Sequence, residues 1–123
     1  MKEELQNAPT LSGRERRRFP RYPIDVPVKV TRSTDHGPQV YLGRGTNMGQ
    51  GGIQALVATE LTNGEHVIVE VTLPYNSQLL KLEAIVCNRF GYNYGLQFLP
   101  MGPTEEAQIR RVCGVLGLMF EST

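Results

Sequence analysis

Apolar residues recur at every second position along most of this 123-residue chain. Successive side chains of a β-strand point to opposite faces, so this period is typical of strands that bury one face. The pattern predicts about six strands, separated by short segments rich in turn-forming residues. The predicted inward-facing residues are Val26, Val28, Val30, Val40, Leu42, Ile53, Ala55, Val57, Val67, Val69, Val71, Leu73, Leu80, Leu82, Ala84, Val86, Tyr94, Leu96 and Phe98.

The connections between the predicted strands lie at Asp35–Pro38, Asn63–Gly64, Pro74–Ser77 and Phe90–Asn93. Gly, Pro, Asn, Asp and Ser recur in these segments and favour tight turns. Short connections join antiparallel neighbours, because a parallel pair needs a long crossover. Since no helical pattern separates the strands, we predict an all-β fold of about six antiparallel strands, a small barrel or a closed-up sheet, because closure hides the sheet edges.

The pattern changes after Pro103, where a proline, a threonine and two glutamates form a typical helix start. Apolar residues then fall at helical spacing, at Ile109, Val112, Cys113, Leu116 and Phe120. We therefore predict a C-terminal α-helix over residues 103–120.

One domain is expected to account for most of the chain, since its length suits a single hydrophobic core. We expect residues 1–13 to form a flexible polar tail and residues 14–123 to form the domain. Within the domain we expect an arginine clamp at residues 14–23, the barrel at residues 24–101 and the helix at residues 103–120.

The composition, 40% hydrophobic and 20% charged, is ordinary for a folded globular protein. The apolar runs are far shorter than the roughly 20 residues that cross a bilayer, so we expect a cytoplasmic protein without membrane insertion. His36 and His66 are isolated in the sequence, and the chain has no GxSxG or HExxH motif. We expect no metal site, no cofactor and no catalytic residues.

Positive charge is concentrated in the segment Arg14–Arg21, although the whole chain has a net charge of only +1. This segment holds five of the 13 basic residues and one of the 12 acidic residues, so it carries +4 and the remainder carries −3. All five are arginines, whose planar guanidinium group can pair with guanine O6 and N7 or grip a phosphate. A dense cluster on a nearly neutral body suits a compact anionic ligand. A solvated basic run or a nonspecific nucleic-acid contact is the alternative interpretation.

A second segment, Asn47–Gly52, contains three glycines and lies between two predicted strands. We call it the glycine turn. Glycine permits positive φ angles and close approach of a ligand to backbone N–H groups, and Asn47 adds an amide that can contact a base edge. The segment lacks the lysine and the Ser/Thr of a Walker loop. A tight hairpin whose glycines only satisfy turn geometry would have the same composition.

Taken together, these segments resemble the PilZ domain family. That family is marked by RxxxR ahead of the first strand and by (D/N)xSxxG in a later turn, on a six-stranded barrel commonly followed by a C-terminal helix. The matching motif positions are Arg17, Arg21, Asn47 and Gly52. The segment Tyr94–Phe98 is also similar to the last strand of the family, so the resemblance covers residues 14–120.

The resemblance implies a receptor for the bacterial second messenger cyclic di-GMP. It implies that Arg17 and Arg21 grip guanine edges and phosphates, and that Asn47 meets a guanine Watson–Crick edge. The glycine turn is expected to wrap the other side of the ligand, while the neighbouring arginines add phosphate contacts. The residues expected to contact the ligand are Arg16, Arg17, Arg18, Arg21, Asn47, Gly49, Gly51 and Gly52.

One position departs from the family pattern, because Gly49 stands where the motif has serine. A hydroxyl that would help to hold the ligand is therefore absent. A hydrogen bond to a charged group contributes about 1.5 to 3 kcal/mol, so binding roughly tenfold to a hundredfold weaker than with serine is expected.

We therefore expect a sensor module, not an enzyme, that couples cyclic di-GMP binding to an unidentified protein partner. Binding would order the segment before Arg21 against the glycine turn and change the surface offered to the partner. The departure at Gly49 supports an alternative, a degenerate PilZ adaptor that binds protein without nucleotide. A nucleic-acid-binding barrel is a further, disfavoured alternative, because the strand pattern points several of the nine aromatic residues inward.

Overall fold

A computed structural model describes residues 19–75 and 77–120 of the chain. The predicted tail at residues 1–13 lies outside these ranges. The elements, in chain order, are β1 (Tyr22–Thr34), β2 (Gly37–Met48), β3 (Gly52–Val57), β4 (His66–Thr72), β5 (Leu79–Phe90), β6 (Asn93–Phe98) and α1 (Pro103–Phe120).

The six strands form one closed barrel in the order β1-β2-β3-β6-β5-β4, and every pair of neighbours is antiparallel. The barrel closes where β1 pairs with β4, with Val28 opposite Val71 and Val30 opposite Val69. The predicted six-stranded antiparallel barrel with a C-terminal helix is confirmed. The finer division of the chain into tail, clamp and domain stays a prediction.

The barrel interior is filled by the inward-facing residues of its strands, and α1 adds its own buried stripe to the same core. Branched aliphatic side chains suit this position, because they pack well on a pleated surface. From the helix the buried residues are Ile109, Val112, Cys113 and Leu116.

Three predicted core residues prove to be exposed. On β2, Val40 and Leu42 are 53% and 76% exposed, because the inward positions of this strand include Gly43 and Gly45 instead. A side chain at Gly45 would lie only 3.0 to 3.3 Å from side chains of neighbouring strands, so those strands already fill the space. On α1 the buried stripe ends at Leu116, and Phe120 is 43% exposed.

The connection from β3 to β4 is fixed by two polar contacts. The buried Tyr94 hydroxyl donates to the carbonyl of Thr59 at 2.6 Å and accepts the N–H of Leu61 at 2.9 Å. Arg32 on β1 makes a two-pronged ion pair with Glu65, at 2.8 and 2.9 Å. Because buried backbone groups need partners, these contacts let an irregular segment pack against the barrel.

Within the described ranges, no helix combines the length and apolar character needed to span a membrane. The same residues contain no group of three or more His, Cys, Asp or Glu side chains arranged to hold a metal ion.

Replacing Tyr94 with phenylalanine is expected to lower the free energy of unfolding by about 1 to 3 kcal/mol. The change removes one hydroxyl and leaves the Leu61 N–H and the Thr59 carbonyl without their partner. Urea unfolding followed by circular dichroism measures the effect. Tyr92→Phe is the matched control, because Tyr92 is exposed and should change stability little. Equal stability of both variants would contradict the anchoring role.

The two cysteines should differ in reactivity, since Cys87 is exposed and Cys113 is buried. Burial raises the pKa of the Cys113 thiol to about 11, so almost none of it is the reactive thiolate at pH 8. Titration with a disulfide reagent at pH 8 should modify Cys87 quickly and Cys113 only after unfolding. Cys87→Ser should abolish the fast phase, whereas fast modification of Cys113 would show that α1 is not docked as described.

Candidate functional site

Asn47 points out of the barrel because the register of β2 shifts beside it. Gly45 and Met48 both face the interior although they are three residues apart, since a β-bulge at Thr46 separates them. A bulge adds one residue to a strand and reverses the alternation beyond it. Asn47 therefore lies on the outer face, opposite Gln54 of β3. Without the extra residue, regular alternation would turn the amide of Asn47 inward.

Arg21, Asn47 and Gln54 form a chain of hydrogen bonds on the outer face of the barrel, near one end of β1, β2 and β3. Arg21 directly precedes β1, and its Nη1 donates to Asn47 Oδ1 at 3.2 Å. The Asn47 Nδ2 group donates in turn to Gln54 Oε1 at 3.1 Å. A guanidinium can only donate, so the atom of Asn47 that faces Arg21 must be its oxygen. The amide of Asn47 thus has a defined orientation, and its two polar atoms retain capacity for further bonds.

The glycine turn is closed on itself and tied to the end of β6. The N–H of Gly49 donates to the carbonyl of Gly52 at 3.0 Å, and the N–H of Phe98 donates to the carbonyl of Gly51 at 2.9 Å. Positive φ angles occur at other described glycines and not in this turn. The turn does not use the left-handed conformation that its glycines permit.

Gly49 and Gly52 allow other backbone segments to pack closely against the turn. A Cβ built on Gly49 would lie 2.5 Å from the carbonyl oxygen of Pro20, and one built on Gly52 would overlap the carbonyl oxygen of Leu96. Both glycines are buried. The space beside Gly49 is therefore occupied by the chain itself, and a serine hydroxyl would not fit there without movement of the backbone.

The described residues include five of the eight expected contact residues, while Arg16, Arg17 and Arg18 lie outside them. The five that the structure brings together are Arg21, Asn47, Gly49, Gly51 and Gly52. Sequence reasoning missed Gln54, and its outward position on β3, between Ile53 and Ala55, is the signal that could have found it. It also missed the carbonyl of Pro20, for which no local pattern exists.

An ion pair and a cleft lie next to the site and affect its chemistry. Asp25, on the adjacent stretch of β1, is paired with Arg44 at 2.6 Å, and the guanidinium holds the pKa of this carboxyl below its usual value. Its negative charge is thus compensated locally. Beside the turn, an open cleft of about 560 Å³ separates Pro20 and Gln50 from Arg110 on α1.

Several solved structures share this fold at low sequence identity. The PilZ domain with c-di-GMP of YcgR from Escherichia coli is 19% identical, with a TM-score of 0.66, and the match covers 88% of this chain and 99% of that one. The PilZ domain of CeSA from a cellulose-synthesizing bacterium is 19% identical, with a TM-score of 0.60 and coverages of 78% and 97%. The MrkH–c-di-GMP complex of K. pneumonia is 15% identical, with a TM-score of 0.67, and here the match covers 86% of this chain but 53% of that one. No curated protein sequence matches the chain.

The sequence itself matches the model of one family, described as the PilZ domain, over residues 15–114. This match spans residues 15–23 of the predicted arginine clamp, the whole barrel and most of α1. It agrees with the closed six-stranded barrel and with the positions of Arg21, Asn47 and Gly52 at one end of three adjacent strands. The chain belongs to the PilZ domain family.

Proposed function

We propose that this domain is a receptor for cyclic di-GMP that couples binding of the nucleotide to a protein partner. The observation that carries the proposal is the contact between Arg21 and Asn47 beside the glycine turn, because both residues occupy positions of the family motif. Among the structures that share the fold, the YcgR domain and MrkH were solved with c-di-GMP.

The two groups suit the edges of a guanine base. Guanine presents the acceptors O6 and N7 on one edge, which match the parallel donors of an arginine such as Arg21. Its Watson–Crick edge combines N–H donors with O6, and an amide such as Asn47 can address both kinds of group. Because the two side chains already touch, they would meet adjoining edges of the base without a large movement.

The phosphates of the ligand are assigned to three of the four remaining arginines of the clamp, Arg16, Arg17 and Arg18. Arginine binds phosphate through two parallel charge-assisted hydrogen bonds, which are stronger than neutral ones. The N–H of Gly49 already donates to Gly52, so this group is not offered to a phosphate in the same state of the turn.

The proposed role is recognition without catalysis. Hydrogen bonds and charge suffice to hold a cyclic dinucleotide, so the role requires no cofactor or metal. We place the protein in the bacterial cytoplasm on the basis of this ligand.

Signal transfer is proposed to run from the glycine turn to α1. The turn is bonded to Phe98 at the end of β6, and the chain enters α1 soon afterwards. Pro20 and Gln50 line the cleft that faces Arg110 and Gly117 of the helix. A ligand that draws the part of the clamp before Phe19 toward the turn would change the surface beside this cleft that a protein partner meets.

Two other functions compete with this proposal. A PilZ adaptor without nucleotide is favoured by Gly49, which replaces the serine of the motif.

A nucleic-acid-binding barrel is supported by the exposed aromatic residues, which are more numerous than the strand pattern predicts. Five of the nine aromatic residues are exposed, including Phe90 and Tyr92. The chain outside the clamp segment nevertheless carries −3, which opposes binding to a long polyanion.

Calorimetric titration of the protein with cyclic di-GMP tests the proposal directly, with GTP and the linear dinucleotide as controls. A receptor should bind the cyclic ligand and discriminate against both controls. If the protein binds neither cyclic di-GMP nor the control nucleotides, the result would support the adaptor function.

Arg21→Ala and Arg17→Ala should each weaken binding of cyclic di-GMP by roughly a hundredfold or more, since each removes charge-assisted bonds to the ligand. Lysine should restore only part of the affinity, because it lacks the planar fork. Arg111→Ala is the matched control, because this exposed arginine lies on α1 and does not line the cleft beside the turn. Thermal midpoints without ligand should stay close to the wild-type value. Unchanged affinity in both clamp variants would rule out the clamp assignment.

Salt should weaken binding only modestly, because a cyclic dinucleotide carries two phosphate charges and screening acts on few contacts. Titrations at several concentrations of NaCl measure this dependence. A steep loss of binding to single-stranded DNA with salt, combined with no preference for cyclic di-GMP, would favour the nucleic-acid function.

A further inference from the structure

The residues just before β1 lie directly on the glycine turn. A Cβ on Gly49 would be 2.5 Å from the Pro20 carbonyl oxygen and 3.6 Å from Cδ of Arg21. A Cβ on Gly51 would be 3.5 Å from Cδ2 of the Phe19 ring. Three consecutive residues of the clamp, Phe19, Pro20 and Arg21, therefore rest on two glycines of the turn. We call this contact the seat.

The seat explains why position 49 is a glycine. Its φ angle lies outside the left-handed region, so the local backbone conformation does not demand glycine. The opposing atom is a backbone carbonyl of Pro20, which cannot rotate away as a long side chain would. Any side chain at position 49 must push the clamp away from the turn. The Pro20 carbonyl thus occupies the space that a serine side chain at position 49 would need.

Phe19 and Pro20 add stiffness to this contact. Proline restricts its own φ angle and the conformation of the residue before it, so the path from Phe19 to Arg21 has few alternatives. The ring of Phe19 is 42% exposed, and the turn at Gly51 is among its neighbours. Fixing the ring on the turn consequently fixes the start of the Arg21 side chain, whose guanidinium reaches Asn47.

We propose that Phe19 and Gly49 are positioning residues, which seat the clamp on the glycine turn and hold Arg21 against Asn47 before any ligand arrives. This inference rests on the proposed binding of cyclic di-GMP for its functional consequence. Holding a binding group in its working position lowers the entropy lost on binding and so increases affinity. With glycine at position 49 the chain lacks a hydroxyl contact with the ligand, but its clamp is already held in place.

The seat can be tested without any ligand, by the rate at which trypsin cuts after Arg21. Cleavage requires this segment to leave the barrel, so loosening the seat should accelerate it. Phe19→Ala and Gly49→Ala should raise the initial rate about tenfold, because the first removes the covering ring and the second forces the backbone apart. Phe19→Tyr keeps the ring and should restore the wild-type rate.

Two matched controls accompany these variants. Phe90→Ala removes a phenylalanine that is 86% exposed, and Gly114→Ala adds a methyl group that meets nothing within 4 Å. Both should be cut after Arg21 at the wild-type rate. Thermal midpoints identify any variant whose barrel has unfolded, and Phe19→Ala tests the seat if Gly49→Ala is lost in this way.

Titration with cyclic di-GMP then tests the functional consequence. Phe19→Ala should bind roughly three- to tenfold more weakly and Gly49→Ser about tenfold more weakly, while Phe19→Tyr should bind as the wild type does. Tighter binding by Gly49→Ser, or unchanged cleavage in both Phe19→Ala and Gly49→Ala, would overturn the inference. If cleavage accelerates as expected but the wild type binds no cyclic di-GMP, the seat is supported, and its role in ligand binding falls with the proposed function.

Discussion

Closure of the sheet through β1 is the constraint on which the site depends. This strand pairs with β2 along most of its length and with β4 through Val28–Thr31, so it is fixed from both sides. Arg21 directly precedes β1, and the pairing of Pro23 with Asn47 sets the distance between clamp and turn. A slip of two residues would keep the apolar face inward, yet it would move Arg21 by about 7 Å and break its contact with Asn47.

Much of the fold follows from local pattern. Strict alternation identified the buried face of β1, β3, β4, β5 and β6, because each of these strands has one face in a common interior. The alternation failed on β2, where Val40 and Leu42 face outward and glycines face inward. Side chains from other strands fill the interior beside β2. How much room is left for a β2 side chain depends on the packing of the assembled barrel, which the sequence of β2 alone does not reveal.

The site was predictable where its chemistry is concentrated in short motifs. The resemblance to the PilZ family implied that Arg21 and Asn47 serve one ligand site, and a hydrogen bond joins them in the structure. The alternation of β3 places Gln54 outward, but the bulge at Thr46 that brings Asn47 opposite it leaves no mark on the alternation, so the contact between the two amides was missed. The contact of Pro20 with Gly49 joins residues far apart in sequence. Because it is made by the backbone carbonyl of Pro20, the side chain at position 20 does not indicate it.

The closed barrel also limits how another protein can recognise this one. Each of the six strands has a hydrogen-bonded neighbour on both sides, so the described sheet is unpaired only where one strand runs past its neighbour, as β2 does at Gly37–Leu42 beyond its pairing with β3. Around the closed part of the barrel a partner therefore cannot extend the sheet by adding a strand, which is a common way of capturing extended peptides. Recognition there depends on side chains of the barrel wall, the connecting turns and α1. Specificity for a partner can then change by surface substitution alone, while the hydrogen-bonded framework that holds the clamp stays intact.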